Sequence, residues 1–187
     1  MQAALFSAAG LALWMWSGRE PVAFVDWSWR AMLQGVVFAG LLIASAATAF
    51  CLFPRFLEHT TQLQAKLAKL LPRDCRWPLV VWISLCAGIG EEALFRGGIQ
   101  TLAGDHLGVG PAIALSAAGF ALVHLAKPLI TAIILLIGVI FGIVYWWTGS
   151  LLTVVIGHVL YDIWALRVLH RELVRLGHSD TPPAAAD

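Results

Sequence analysis

Three groups of residues in this chain could do chemistry. The first is Gly-Ile-Gly-Glu-Glu-Ala-Leu-Phe-Arg-Gly at 88–97, which sets Glu91, Glu92 and Arg96 inside a run that is otherwise apolar from Trp77 onward. The second is Phe120-Ala-Leu-Val-His124, and the third is His158-Val-Leu-Tyr-Asp162. On a helix turning about 100° per residue, Glu92 and Arg96 share a face and can pair, as a structural support. Glu91 points about 100° away from Glu92 and is left free to act. The spacing of four also puts His158 and Asp162 on one face, where they can hydrogen-bond or hold one ligand together. Taken singly, each group has a plain structural account: a polar helix contact, a satisfied helix-end histidine, an orienting His–Asp pair. Taken together, Glu91, His124, His158 and Asp162 form an acid–base set spread over three segments.

The surroundings decide between those accounts. The chain has 187 residues, of which 60% are hydrophobic and only 12% charged, with a mean hydropathy of +0.83. That composition fits one compact membrane domain. A charged side chain at the centre of a membrane helix costs about 2.5–3.5 kcal/mol on insertion scales, so three unpaired ones would cost on the order of 8–10 kcal/mol. Groups that expensive are expected to converge on one wet cavity and to carry function. A net charge of +1 and the lack of a basic tail argue against a nucleic-acid partner. Cys51, Cys75 and Cys86 are odd in number and lack metal spacing, so they read as small apolar fillers.

The elements that must position these groups are membrane helices. Apolar runs of spanning or near-spanning length occur near 1–16, 31–53, 77–103, 111–126, 128–147 and 150–169. Met1-Gln2 offers no basic region ahead of the first run, which favours a first transmembrane helix over a cleaved leader. Between Pro54 and Pro72, the residues Phe56, Thr60, Leu63, Leu67, Leu70 and Leu71 recur at helical spacing, predicting an amphipathic surface helix or a helical extension into water. The expected fold is therefore an all-α polytopic membrane bundle of about six transmembrane helices plus that surface helix. Residues 1–170 form one domain with its motif core at 77–169, and 171–187 form a flexible tail. Arg55, Lys66, Lys69, Arg73, Arg76, Lys127, Arg167, Arg171 and Arg175 fall on one side of such a bundle, which places both termini in the cytoplasm. Trp14, Trp16, Trp27, Trp29, Trp146 and Trp147 then mark the outer boundary. In this six-span scheme Glu91 and His158 lie in the outer half, whereas His124 lies near the inner end of its span, about 10 Å away at 1.5 Å per residue.

With those residues in view, the chain resembles the type II CAAX prenyl protease family, also called CPBP or Abi intramembrane proteases. Glu91-Glu92…Arg96 matches the family's EExxxR motif, Phe120…His124 its FxxxH motif and His158…Asp162 its HxxxN/D motif, in order and over residues 77–169. The resemblance implies a glutamate-dependent peptidase of the bilayer, acting on a membrane-anchored protein or peptide. Glu91 with His124 would activate a water, and His158 with the residue at 162 would stabilise the oxyanion. Relatives that act on prenylated proteins commonly carry Asn at that last position, and Asp162 donates a hydrogen bond only when protonated. Ionised, it would orient His158 or bind a metal. A zinc site built from Glu91, His124, His158 and Asp162 is the alternative mechanism, although no HExxH is present. A non-catalytic immunity or scaffold protein and a proton-coupled transporter are the other classes. The transporter is disfavoured by the lack of an inverted repeat.

Overall fold

The computed structural model describes residues 1–65 and 76–177. Among the described residues the chain is helical, with no strand. The helices are α1 (Gln2–Trp16), α2 (Trp29–Leu52), α3 (Pro54–Leu63), α4 (Trp77–Leu107), α5 (Val109–Val123), α6 (Pro128–Thr148) and α7 (Leu151–Arg175). Four of them, α2, α4, α6 and α7, are long and apolar enough to cross a membrane. The apolar helices α1 and α5 have 15 residues each, which span about 22 Å against a hydrocarbon core of about 30 Å. The six expected spans are thus four full-length helices and two short ones. The chain is an integral membrane protein built as a polytopic helical bundle.

Local chemistry explains where the helices begin and end. Ser28 caps α2 by accepting from the Ala31 N–H at 3.1 Å, and Ser150 caps α7 by accepting from Thr153 N–H at 3.3 Å. Prolines stand in the first turn of α3, α4 and α6, where a missing N–H costs nothing. Gly108, at φ 81°, turns the chain from α4 into α5 through a conformation that L side chains rarely adopt. The predicted surface helix is α3 over Pro54–Leu63, packed against α2, α6 and α7 with Thr60 and Thr61 buried. Its expected continuation through Leu67, Leu70 and Leu71 lies outside the described residues. The last helix, α7, continues to Arg175, past the expected start of the tail at residue 171, and residues 178–187 lie outside the described residues.

The helix α4 is the central element. It packs on α1 along one side and on α7 along the other, while α2 lies along α7 and α5 along α6. Small residues set these distances. A Cβ added at Gly10 of α1 would run into the backbone carbonyl of Ala93, and one added at Gly88 would lie 2.6 Å from Val159 Cγ2 of α7. A buried cluster of Phe38, Phe141, Leu151 and Val154 joins α2, α6 and α7. At the Gly108 end, Arg19 clamps Asp105 through two hydrogen bonds of 2.6 and 2.8 Å, tying the α1–α2 connection to the end of α4. That hydrogen bonding to Asp105 holds the Arg19 pKa above its ordinary value. The exposed Trp16, Trp27, Trp29, Trp146 and Trp147 flank α1, α2 and α6 at their boundaries.

Candidate active site

Glu91 and Glu92 stand on the last turn of the regular part of α4, immediately before a π-helical stretch from Ala93 to Gln100. Such stretches leave backbone groups without their usual partners and recur at functional sites. Two carbonyls of this stretch accept from hydroxyls. Ser116 donates to Phe95 O at 2.7 Å, and Thr101 donates to Arg96 O at 3.0 Å. The next residue on the same stripe, Gln100, donates its amide N–H to Gly142 O of α6 at 2.8 Å.

The Glu92–Arg96 pair forms as its spacing predicts, with Arg96 Nη1 at 3.1 Å from Glu92 Oε1 and both side chains fully buried. Arg96 Nη2 donates to Gly138 O at 2.9 Å, and its guanidinium lies over the rings of Phe120 and Phe141 at 4.7 and 5.5 Å. A contact that the spacing did not predict completes the arrangement. His158 Nδ1 lies 2.8 Å from the same Glu92 Oε1. Glu92 therefore does more than neutralise Arg96; it holds an imidazole from another helix. Phe120 and Phe141 also present to the His158 ring, at centroid distances of 6.1 and 5.4 Å.

The remaining groups gather around Glu91 Oε2. His124 Nε2 is 3.9 Å from it and His158 Nε2 is 3.8 Å from it, while Asp162 Oδ2 lies 3.5 Å from His158 Nε2. The His124 Nδ1 is 2.7 Å from Phe120 O. Because a carbonyl only accepts, Nδ1 carries a proton, and the ring turns its other nitrogen, Nε2, towards Glu91. Exposure divides the set. The side chains of Glu92 and Arg96 are sealed at 0%, whereas Glu91, Asp162 and His124 are 14%, 27% and 31% exposed. Glu92 and Arg96 are enclosed, and Glu91, Asp162 and His124 are reachable.

The expected depth mismatch of His124 is absent, for two reasons visible in the chain. Glu91 lies 17 residues before Gly108 and His124 lies 16 residues after it, so the α4–α5 hairpin brings both to a similar level. The helix α5 also ends at Val123, and the non-helical residues 125–127 can carry the chain up to about 10 Å further before α6 begins. His124 therefore caps a short helix at the level of Glu91.

Residues 73–164 match the family described as Type II CAAX prenyl endopeptidase Rce1-like. That segment contains every group just described, from Glu91 to Asp162. Over that segment the chain is similar to the Rce1-like family. At family level the match supports an intramembrane endopeptidase acting on membrane-anchored protein substrates. The chain is also similar to a Bacillus subtilis (strain 168) protein named Uncharacterized protein YpbD, 26% identical over 183 residues, covering 94% of this chain and 90% of that protein. No solved structure matches the chain.

Within the Rce1-like segment, the four groups named for a possible zinc site are neighbours, yet among the described residues no three His, Cys, Asp or Glu side chains form a group that could hold one metal ion. Sequence reasoning missed Gln100, Phe141 and the carbonyls of Gly138 and Gly142. Gln100 was discoverable, since 92, 96 and 100 form one stripe at a spacing of four. Nothing in the pattern of α6 singles out Phe141 or the two carbonyls.

Proposed function

We propose that this Rce1-like chain hydrolyses a peptide bond of a membrane-anchored substrate, near its anchored or C-terminal end, by a glutamate-activated water. The observation that carries this reading is the pair of distances from Glu91 Oε2 to His124 Nε2 and His158 Nε2, 3.9 and 3.8 Å. Both are too long for a direct hydrogen bond and suit a single bridging water. Glu91 takes a proton from that water as its oxygen attacks the carbonyl carbon, with His124 holding the water through its Nε2. The carbonyl π electrons move onto oxygen. His158, donating Nδ1–H to Glu92, meets the oxyanion with Nε2–H in its protonated form. As the C–N bond breaks, Glu91 returns its proton to the leaving amine. Asp162 orients the His158 ring from 3.5 Å.

The excess of Lys and Arg in the sequence between and after alternate apolar runs supports cytoplasmic termini, and the similarity to a Bacillus subtilis protein accords with a bacterial inner-membrane setting. A metallopeptidase using Glu91, His124, His158 and Asp162 is the second reading; those four groups are neighbours, although no three of them form a metal-holding group among the described residues. The deciding experiment is cleavage of a panel of membrane-anchored peptides by purified protein in detergent, beside Glu91→Ala, each with and without a strong chelator. Cleavage abolished in Glu91→Ala and indifferent to chelator is expected. Cleavage lost on chelation and restored by zinc would replace the water mechanism with a metal one. Undiminished cleavage by Glu91→Ala would remove Glu91 from the chemistry.

A further inference from the structure

A cavity of about 250 Å³ between α1 and α4 reaches Glu91. Ala3 and Phe6 of α1 form one wall, and Trp82, Cys86 and Ala87 of α4 form the other, with Glu91 one turn beyond Ala87. The wall on α4 is a single helical face, since its lining positions recur at helical spacing. The first turn of α1 is held tightly at this point. A Cβ added at Gly90 would lie 2.8 Å from Ala3 Cα, so the glycine lets the two backbones touch beside the bulky Phe6 and Trp82.

We propose that this cavity is the subsite for one apolar side chain of the substrate, next to the bond attacked at Glu91; the proposal rests on the hydrolytic reading above. Apart from Gln2 at its edge and Glu91 itself, the lining is apolar. A charged or amide side chain entering it would lose hydration without gaining partners. The size is equally selective. It falls below the ~300–1,000 Å³ of pockets that enclose whole small molecules, and above the ~150 Å³ of an apolar cavity that holds benzene. It takes a side chain of leucine to phenylalanine size. Ala87 lines the cavity one turn before Glu91, so a larger side chain there fills the space and shifts the preference to small residues.

Cys86, half-buried in the wall, serves as a reporter of occupancy. In a Cys51→Ser, Cys75→Ser background it is the last thiol in the chain. With Glu91→Gln added, its alkylation by N-ethylmaleimide is timed in the presence of membrane-anchored peptides carrying a central block of Ala, Leu, Phe or Asp. Leu and Phe blocks are expected to slow alkylation, and Ala and Asp blocks to leave it unchanged. Ala87→Phe, with Ala87→Leu as a milder second variant, is expected to abolish that protection. In protein retaining Glu91, Ala87→Phe is expected to shift the ratio of cleavage from Leu and Phe blocks towards Ala blocks by about tenfold or more. Alkylation rates equal for all four peptides, or a ratio unmoved by both Ala87 variants, would overturn the subsite. Protection without any cleavage by the wild type would keep the subsite and overturn the hydrolase. Cleavage without protection would overturn the subsite alone.

Discussion

His158 Nδ1 lies 2.8 Å from Glu92 Oε1, and that same oxygen accepts from Arg96 Nη1 at 3.1 Å. One buried carboxylate thus links the cation that anchors α4 to α6 with the imidazole that α7 presents to Glu91. The two adjacent glutamates have different work because they face different neighbours. Glu92 is fully buried against Arg96 and His158, whereas Glu91 faces both the second histidine and the cavity beside α1.

Two glutamine substitutions should separate those roles. Glu91→Gln is expected to lower kcat by about 10²–10⁴-fold, the range for losing a general base, while the melting temperature in detergent changes little. Glu92→Gln is expected to lower both, because removing one partner of a buried ion pair costs about 3–5 kcal/mol. Paired activity and thermal-melt measurements check this. Equal melting temperatures for the two variants would show that Arg96 does not depend on Glu92.

Position 162 offers a second test. If this residue acts by donating to the oxyanion or by orienting His158, an amide can replace it, and Asp162→Asn should keep kcat within about tenfold of wild type. Asp162→Ala should lose about 10²–10³-fold, comparable to the loss of an oxyanion donor. Asparagine no better than alanine would mean that the carboxylate charge itself is required.

Phe141 touches Phe38, Arg96 and His158 and is 2% exposed. Phe141→Ala should destabilise the bundle by about 3–5 kcal/mol, as large-to-small core changes of this kind do. Denaturation in detergent reads the loss. A change below about 1 kcal/mol would mean that neighbouring side chains collapse into the space.

The Arg19–Asp105 clamp should matter much less. Each side chain is 35% exposed, and exposed ion pairs contribute about 0–1 kcal/mol. Asp105→Asn is expected to lower the melting temperature by no more than about 2–4 °C, with kcat unchanged because the pair lies outside the site. Loss of cleavage in Asp105→Asn would make the α1–α2 connection part of the machinery.

Much of this architecture was legible before any coordinates. Long apolar runs separated by proline, glycine and charge define helices locally, so α2, α4, α6 and α7 could be placed to within a few residues. The Glu92–Arg96 and His158–Asp162 pairs were legible for the same reason, since i,i+4 neighbours meet on any helix. The end of α5 was not legible. Residues 124–126 are as apolar as the helix before them apart from His124, and hydropathy does not mark where a helix gives way to extended chain. That is why His124 was expected too deep.

By itself, the sequence determined the membrane-helical class, the order of the three motifs and the Glu92–Arg96 and His158–Asp162 pairings, because these follow from periodicity and hydropathy along a single element. Only the tertiary structure decided which carboxylate faces which histidine. Glu92 meets His158 across 66 positions of chain and Arg96 meets Gly138 across 42. Those contacts depend on how α4 is rotated through its π-helical stretch and on how closely glycines let α1, α6 and α7 approach it. Rotation and approach are properties of packed helix pairs, which no single helix encodes.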